Sequence, residues 1–352
     1  MGNWRENVRS VVPYVPGEQP QFTDMIKLNT NENPYPPAPG VMQALQAFDG
    51  TRLRMYPDPN VTELQAALAE FYGVRPEQIF VGVGSDDVLA MSFLTFFNSE
   101  KPVFFPDITY SFYDVWADLL KIPYERKPLD PDFRIRTEDY EAENGGVVIA
   151  NPNAPTGLLL APEEMEQILS HNRDVVVIAD EAYIDFGGTS ALPLLQEYDN
   201  LLVVRTFSKS RALAGSRVGF AIGNPELIRC LWDARNSFNS YTMDAVTQKA
   251  AAAAVRDRAY FEETCRRIVR TREEAKKRLA ALSFTFPDSK TNFLFIRHRE
   301  LPAEKIFEAL RARHIFVRHF NGERIHDYLR VTIGTDEQME ALYRALEEIE
   351  KE

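Results

Sequence analysis

Two apolar runs of the chain end in residues that could take part in covalent and acid-base chemistry. Residues 175–179 (VVVIA) are followed at once by Asp180, and residues 201–205 (LLVVR) are followed four positions on by Lys209. An open α/β sheet binds its ligands at the carboxyl ends of its parallel strands. A lysine there could form a Schiff base with a carbonyl compound, and a carboxylate could hold the nitrogen of a heterocycle. The pattern therefore favours a site built at strand ends.

A third segment indicates where a phosphate could bind. Residues 82–84 (GVG) follow an apolar run and precede a predicted helix, so backbone N–H groups from Gly84 onwards and the hydroxyl of Ser85 could hold one phosphate. The sixth position of a dinucleotide-binding GxGxxG pattern would be Asp87, next to Asp86. Two carboxylates at this place would repel a pyrophosphate, which disfavours a dinucleotide.

Each of these signals also has an ordinary structural explanation. Taken alone, residues 82–84 could be a simple strand-to-helix turn, Asp180 a helix cap and Lys209 a solvated side chain. Their combination, with Arg217 eight residues after Lys209, supplies an amine, a partner for a ring nitrogen and groups for one phosphate. These are the requirements of a pyridoxal phosphate site.

Short apolar runs alternate with segments of helical period, which predicts a mostly parallel sheet in an α/β layer sandwich. A helix is expected after Asn60, with Glu63 as its capping partner, and Gly73 should end it. These elements predict a large domain over residues 41–241. Its predicted strands are 79–83, 101–105, 147–150, 175–179, 201–205 and 218–222.

From about residue 242 the pattern changes to a long helical stretch with no turn signal before Ser283. Residues 242–352 are therefore predicted as a smaller α+β domain that includes this connecting helix. Residues 1–40, rich in Pro, Asn and Gly, predict an N-terminal arm that contributes to the small domain and to an interface. The other elements expected in the small domain are a strand at 291–297, a helix at 302–313, strands near 315–318 and 328–333, and a last helix capped by Thr335 and Gln338.

Composition excludes several classes of protein. The net charge of -12 over 352 residues disfavours binding to nucleic acid or to an anionic membrane. Two cysteines form no disulfide framework, which favours the cytoplasm, and the sequence shows neither a signal peptide nor a membrane-spanning run. Without a Gly-Lys dipeptide or an HExxH motif, a P-loop and a zinc-peptidase helix are excluded, and no metal is expected.

Several ordered segments resemble a known family. Residues 206–219 (TFSKSRALAGSRVG), 179–183 (ADEAY) and 151–157 (NPNAPTG) are similar to the cofactor-binding motifs of fold-type I aminotransferases. Within that superfamily, three more segments resemble the histidinol-phosphate aminotransferase family, and the resemblance runs from about residue 5 to residue 350. These segments are 5–14 (RENVRSVVPY), 28–34 (LNTNENP) and 55–60 (MYPDPN).

The resemblance implies a role for each residue around pyridoxal 5'-phosphate. Lys209 would form the aldimine, Asp180 would hold the pyridinium nitrogen and Tyr183 would donate to the phenolic oxygen. Tyr110 would stack on the ring. The residues implied around the phosphate are Ser85, Thr206, Ser208 and Arg217, and the backbone N–H groups of Gly84 to Asp86 at the predicted helix start would join them.

Other implied roles concern the substrate and the partner subunit. Tyr14, Asn33 and Arg330 would face the substrate, and Tyr56 would reach the cofactor phosphate of the other chain in a homodimer. Taken singly, these tyrosines also fit packing positions, and Arg330 also fits a salt-bridged edge strand.

One position departs from the family pattern. The family usually has Asn where this chain has Ala154, and that Asn bonds the phenolic oxygen of the cofactor. We expect Asn153, or else Asn151, to take its place.

The resemblance implies a ping-pong amino transfer between L-histidinol phosphate and 2-oxoglutarate, which gives glutamate, in histidine biosynthesis. An aromatic amino acid aminotransferase or a threonine-phosphate decarboxylase of the same fold would share most of the cofactor residues. A non-catalytic regulator that binds the cofactor is disfavoured. It would need a DNA-binding domain, and the aminotransferase-like pattern begins near residue 5.

Overall fold

The computed structural model describes residues 4–14, 17–19, 22 and 24–352. Over these residues the strands are β1 (Ile26–Lys27), β2 (Ile79–Gly82), β3 (Val103–Pro106), β4 (Tyr124–Lys127), β5 (Gly146–Ala150), β6 (Val177–Asp180), β7 (Leu201–Thr206), β8 (Gly219–Gly223), β9 (Phe284–Thr285), β10 (Phe293–His298), β11 (Ile315–Phe316), β12 (Arg318–His319) and β13 (Leu329–Thr332). The α-helices are α1 (Pro39–Gln46), α2 (Thr62–Tyr72), α3 (Ser85–Phe96), α4 (Phe112–Leu120), α5 (Pro162–His171), α6 (Pro225–Phe238), α7 (Ala245–Arg256), α8 (Arg258–Ala281), α9 (Ala303–Ala312) and α10 (Asp336–Ile349). Short 3₁₀ helices span Trp4–Asn7, Gly50–Arg54, Pro76–Gln78, Thr137–Tyr140, Ile184–Phe186, Leu192–Gln196 and Ala214–Ser216.

The largest sheet has seven strands in the order β2-β8-β7-β6-β5-β3-β4. Only β8 runs against its neighbours, which confirms the prediction of a mostly parallel sheet. The one strand that the apolar runs did not predict is β4, because its sequence YERK is charged and lies half-exposed at the sheet edge.

Helices cover both faces of this sheet. Along β5, Val148 packs with α3, α4 and α6 on one face, whereas Val147 packs with α5 on the other. The alternation follows from the two-residue period of a strand, and burial on both faces explains the continuous apolar runs. The α/β class predicted from the sequence is therefore confirmed.

The carboxyl ends of the parallel strands meet at one edge of the sheet. Register places Ala150 opposite Asp180, at the ends of β5 and β6, and β7 ends nearby at Thr206. The antiparallel β8 begins at this same edge, where Gly219 pairs with both Gly82 and Thr206.

A four-stranded antiparallel sheet in the order β12-β13-β10-β9 packs with α8, α9 and α10 in a second core. The pair β1 and β11 is parallel and joins the N-terminal arm to this region, with Ile26 opposite Ile315. The strands and helices predicted after residue 290 are present within a few residues of their expected bounds, and Thr335 and Gln338 form the expected capping box.

Two local predictions are wrong. Asn60 does not cap α2, because the side chain of Asp58 accepts the N–H groups of both Thr62 and Asn60 at 2.9 Å. The predicted end of this helix at Gly73 is confirmed by its left-handed backbone, with φ of 68°.

The stretch after residue 242 is also not one helix. It breaks at Asp257, which ends α7 and whose side chain accepts the N–H of Tyr260 in the first turn of α8. An aspartate competes for backbone donors in this way, which favours helix ends over interiors. Because α7 packs with α1 and α2 whereas α8 joins the second core, a domain boundary near residue 257 suits the packing better than one at 242; the division itself stays a prediction.

Over the described residues, no helix combines the length and the apolar character that crossing a membrane requires.

Candidate active site

Two connected cavities lie between the carboxyl edge of the large sheet and the second core. The first, of about 240 Å³, is called the inner cavity; the second, of about 640 Å³, is called the outer cavity. Lys209, Tyr183, Tyr110 and Ala154 line both. Of the residues predicted at the cofactor, the inner cavity brings together Ser85, Asp86, Tyr110, Asp180, Tyr183, Thr206, Ser208, Lys209 and Arg217.

Lys209 lies on the loop that follows β7, and this loop is held from several sides. Its Nζ donates to the carbonyl of Thr30 in the N-terminal arm at 3.0 Å. The amide of Asn33 donates to the carbonyls of Lys209 and Ser210 at 3.1 and 3.2 Å, and the hydroxyl of Ser210 donates to Asp185 at 2.6 Å. The loop therefore presents the amine to both cavities from a fixed backbone.

Asp180 is buried at the end of β6, with 5% of its surface exposed. The hydroxyl of Tyr113 on α4 donates to its Oδ2 at 2.7 Å, and the N–H of Ala182 donates to its Oδ1 at 3.3 Å. Burial raises the pKa of Asp180 to about 6, and the bond from Tyr113 opposes that increase. A protonated ring nitrogen would supply the cation that this buried carboxylate needs.

The opposite end of the inner cavity carries hydroxyls, N–H groups and one guanidinium. Ser85 begins α3, and Arg217 donates to Ser208 Oγ at 3.4 Å and forms an ion pair with Asp86 at 3.0 Å. The hydroxyl of Thr206 lies 3.0 Å from that of Ser208. The start of a helix with adjacent hydroxyls and an arginine is suited to a single phosphate.

Two glycines allow this end of the cavity to form. A Cβ on Gly219 would lie 2.2 Å from the backbone nitrogen of Ser85, so β8 passes directly beneath the start of α3. A Cβ on Gly84, whose φ is +86°, would lie 2.6 Å from the guanidinium of Arg217. The absence of a side chain on Gly84 thus leaves room for the guanidinium of Arg217, while the role of its backbone N–H at a phosphate stays a prediction.

Two aromatic hydroxyls complete the inner cavity. Tyr110 donates to Asp86 Oδ1 at 2.8 Å, and burial raises its pKa, so that its hydroxyl stays protonated. Tyr183 accepts a hydrogen bond from the side-chain amide of Asn31 at 2.9 Å, and its ring packs edge-on against Phe293. Each ring is thereby held in one orientation at the cavity wall.

These features together fit pyridoxal phosphate. The inner cavity offers an amine, a buried acid for a ring nitrogen, a phenol and a phosphate-binding end, and the two glycines leave the room that the phosphate end needs.

The outer cavity contains Tyr14 and Arg330, two of the residues predicted at the substrate. Arg330 is half-buried; its Nη2 donates to the carbonyl of Asn29 at 3.0 Å, and among the described residues nothing accepts a hydrogen bond from its buried Nε. Arg318 also lines this cavity and stands opposite Arg330 in the register of β12 and β13. Sequence analysis missed Arg318, although pairing the predicted strands around 315–318 and 328–333 would have placed the two arginines together.

Besides Gly84, three predicted residues do not line either cavity. The amide of Asn153 donates to the carbonyl of Ile108 at 2.9 Å and its oxygen accepts from Thr109 at 2.8 Å, so it fastens a neighbouring loop. Asn33 binds the backbone of the lysine loop instead of the outer cavity. Tyr56 is 82% exposed and stacks on Tyr241 in a separate groove.

Asn151, the other candidate for the missing family asparagine, exchanges two hydrogen bonds with the backbone of Leu160. Neither asparagine therefore has its amide directed to the inner cavity, where Ala154 itself forms the wall.

The fold and the site define the class of protein. Residues 23–346 match the family model of aminotransferase class I and II, and the chain belongs to this family. The more specific resemblance noted in the sequence is also confirmed, because the chain is about half identical over nearly its whole length to curated proteins named histidinol-phosphate aminotransferase.

Three comparisons illustrate this similarity. Histidinol-phosphate aminotransferase 2 of Thiobacillus denitrificans is 52% identical over 344 residues, which cover 97% of this chain and 96% of that protein. Histidinol-phosphate aminotransferase of Lactococcus lactis subsp. cremoris is 51% identical over 346 residues, covering 98% and 97%. The crystal structure of histidinol-phosphate aminotransferase from Sinorhizobium meliloti in complex with pyridoxal-5'-phosphate has a TM-score of 0.84 and 25% identity, covering 93% and 91%.

Proposed function

We propose that the protein transfers an amino group between L-histidinol phosphate and 2-oxoglutarate, with pyridoxal phosphate bound in the inner cavity. The observation that carries the proposal is the position of Lys209, which lines both the inner cavity, where most of the predicted cofactor residues meet, and the outer cavity, which Arg318 and Arg330 also line. The full-length similarity to histidinol-phosphate aminotransferases supports it. An aromatic aminotransferase or a threonine-phosphate decarboxylase is less favoured, because the relatives carry the name of the first activity.

When bound, pyridoxal phosphate accepts into its ring the electron pair of the substrate's broken C–H bond. The chain's own residues prepare this step. Asp180 would hold the ring nitrogen protonated. Lys209 would anchor the cofactor until the substrate amine replaces it, and its freed amine would then take the proton from the substrate carbon. Tyr183 would donate a hydrogen bond to the phenolic oxygen, and Tyr110 would pack beside the ring.

The phosphate of the cofactor would be held at the start of α3. The backbone N–H groups that begin this helix provide donors and a partial positive charge, and Arg217 supplies a full one. Arg217 would then share its guanidinium between the phosphate and Asp86, its partner in the structure.

The second part of the proposal concerns how one pocket accepts two different substrates. Histidinol phosphate carries a phosphate and no carboxylate, whereas glutamate carries two carboxylates. A guanidinium can bind either group through two parallel hydrogen bonds. Arg330 suits this role because no residue in the described part of the chain accepts a hydrogen bond from its buried Nε, and Tyr14 offers a hydroxyl in the same cavity.

We also propose that the protein acts as a cytoplasmic homodimer in which Tyr56 completes the site of the partner chain. Tyr56 stacks on Tyr241, and the segments that flank these two residues in the sequence carry further exposed apolar side chains, which are typical of a protein interface. These residues are Met42, Leu45, Leu53, Met55, Tyr56, Phe238 and Tyr241. We propose the same three-part division of the chain, with the boundary between the large and the small domain moved from residue 242 to near residue 257, where α7 ends and α8 begins.

Single-turnover measurements of the two half-reactions test this function. Arg330→Ala should slow both the histidinol-phosphate half and the 2-oxoglutarate half by about 10- to 100-fold, which corresponds to the roughly 1.5–3 kcal/mol of a hydrogen bond to a charged group. Tyr14→Phe should slow mainly the histidinol-phosphate half. Arg344→Ala, on the exposed face of α10, is the matched control and should leave both unchanged.

Two outcomes would contradict the proposal. If phenylalanine reacts faster than histidinol phosphate in the unmodified protein, the aromatic aminotransferase is the correct assignment. If threonine phosphate releases CO₂ while 2-oxoglutarate fails to react, the threonine-phosphate decarboxylase is the correct assignment.

A further inference from the structure

Ala154 stands where the family usually has an asparagine that bonds the phenolic oxygen of the cofactor. This residue lines the inner cavity with a methyl group, and the amides of Asn151 and Asn153 are engaged elsewhere. Tyr183, by contrast, lines the cavity with its hydroxyl bound to Asn31. A bond to the phenolic oxygen therefore depends on how the hydroxyl of Tyr183 is oriented.

We infer that Asn31 is a positioning residue, whose side-chain amide directs the proton of Tyr183 to the phenolic oxygen of the cofactor and so compensates for Ala154. The inference rests on the proposed function, because it takes pyridoxal phosphate as the group in the inner cavity.

The donor and acceptor atoms of Asn31 and Tyr183 determine where the proton of Tyr183 points. The Nδ2 of Asn31 lies 2.9 Å from the hydroxyl oxygen of Tyr183, and an amide nitrogen can only donate. The oxygen of Tyr183 is therefore the acceptor in this contact. A phenol has a single proton, which is then free to be donated to a partner inside the cavity.

Thr332 fixes which way the amide of Asn31 points. The hydroxyl of Thr332 accepts the backbone N–H of Asn31 at 3.0 Å, so its own proton is left for the side-chain Oδ1 of Asn31 at 3.1 Å. With Oδ1 used as an acceptor on that side, Nδ2 must face Tyr183. The orientation of the amide thus follows from the network.

The backbone of Asn31 is fixed as firmly as its side chain. Only 1% of its surface is exposed, and its carbonyl accepts from the amide of Asn292 at 2.9 Å. Its φ of 57° lies in the left-handed region, which asparagine adopts more readily than most residues. Asn31 therefore satisfies both a backbone and a side-chain requirement.

The consequence for the cofactor is electrostatic. A hydrogen bond donated to the phenolic oxygen stabilises negative charge on that oxygen. It therefore favours loss of a second proton, the one that the oxygen would share with the nitrogen linking Lys209 to the cofactor. Removing the donor should raise the pH midpoint at which the visible absorbance of the bound cofactor changes. This midpoint is a spectroscopic readout and does not depend on turnover.

Two substitutions at one position separate the possible roles. Asn31→Gly removes the amide and keeps a residue that tolerates positive φ, whereas Asn31→Asp keeps the shape and replaces the donor with an acceptor. Both should raise the midpoint by at least half a pH unit, about a threefold change in proton affinity. The shift for Asn31→Asp should be as large or larger, because the new carboxylate would draw the Tyr183 proton away from the cofactor.

A double variant tests whether Asn31 acts through Tyr183. Tyr183→Phe should raise the midpoint by itself, and Asn31→Gly should add nothing further in the Tyr183→Phe background. Asn172→Asp is the matched control, since Asn172 is a buried asparagine whose amide binds the carbonyls of Tyr140 and Ile168 in another part of the fold. It should leave the midpoint unchanged even where it lowers stability.

The outcomes discriminate between the inference and the proposed function. If Tyr183→Phe shifts the midpoint and Asn31→Gly does not, or if the two shifts add, the role of Asn31 is wrong. If Tyr183→Phe causes no shift, the proposed contact of Tyr183 with the cofactor fails first. Where neither Asn31 variant retains cofactor, Thr332→Val decides: freeing the amide should raise the midpoint, and an unchanged midpoint would overturn the inference.

Discussion

Asp180 combines a buried position with a charge that is needed only when a cation is bound beside it. Burial raises its pKa from 3.8 to about 6. In the protein without cofactor, the folded state therefore holds a proton between pH 4 and 6 that the unfolded chain has already lost. Linkage then requires the contribution of Asp180 to stability to fall as the pH rises through this window.

The expected change is on the order of 3 kcal/mol between pH 4 and pH 7, from a shift of about two pKa units. Asp180→Asn cannot titrate, so its free energy of unfolding should increase relative to the unmodified apoprotein over the same range. Urea unfolding of both apoproteins at several pH values measures this difference. Saturating pyridoxal phosphate should abolish it, because the ring nitrogen would pair with the carboxylate; parallel pH curves without cofactor would contradict the prediction.

Among individual residues, the sequence predicted those whose reactive side chains come at or soon after the end of a strand. Lys209 and Asp180 were predicted because each follows an apolar run, and the structure places both in the inner cavity. Tyr113 was missed because an aromatic residue early in an amphipathic helix is indistinguishable by pattern from a core residue. Asn31 was missed because its partners, Tyr183 and Thr332, are separated from it by 152 and 301 positions.

The contact between β8 and α3 shows how one element shapes a site through its backbone. Gly219 lies so close to the start of α3 that an added Cβ would come within 2.3 Å of the backbone carbon of Gly84 as well as meeting Ser85. Backbone atoms cannot rotate aside as a flexible side chain can. Any larger residue must therefore displace the start of α3, where we propose that the cofactor phosphate binds.

Gly219→Ala should weaken binding of pyridoxal phosphate by about tenfold or more, the equivalent of one lost charge-assisted hydrogen bond of about 1.5–3 kcal/mol. Equilibrium titration of the apoprotein measures the dissociation constant. Gly215→Ala is the matched control, because a Cβ on Gly215 would meet no atom within 4 Å. Equal affinities of the two variants would show that β8 does not set the position of the helix start.

Elements were predictable wherever burial was uniform. The strands β5, β6 and β7 are buried along their whole length, and their apolar runs stand out. The edge strand β4 carries charges, and the break at Asp257 depends on one side-chain bond, so neither produces a periodic signal. Local bonding, as at Asp58, decides helix boundaries that hydrophobic pattern leaves open.

For the molecule as a whole, the exposed position of Tyr56 has a consequence for assembly. In the proposed homodimer, each site uses Lys209 from one chain and Tyr56 from the other. Mixing a Lys209→Ala chain with a Tyr56→Ala chain should form heterodimers with one intact site, so that activity exceeds that of either parent. Assays after demonstrated subunit exchange measure this recovery.

A second mixture provides the control. Lys209 and Asp180 belong to the same chain's site, so in a heterodimer of Lys209→Ala and Asp180→Asn each site carries one change, and no recovery is expected. Recovery in neither mixture would mean that Tyr56 does not serve the partner's site.

The N-terminal arm links the earliest part of the chain to the last strands. The carbonyl of Thr30 accepts a hydrogen bond from the amine of Lys209. The neighbouring Asn31 is hydrogen-bonded to Thr332, 301 positions away, and β1 pairs with β11. During synthesis β5, β6 and β7 can pair soon after they emerge, whereas β1 in the arm has no strand to join until β11 has been made. Closing so long a loop is entropically costly and slow relative to local folding. We therefore expect the bond from Lys209 to Thr30 to form late in folding, because the neighbouring β1 and Asn31 find their partners only beyond residue 314.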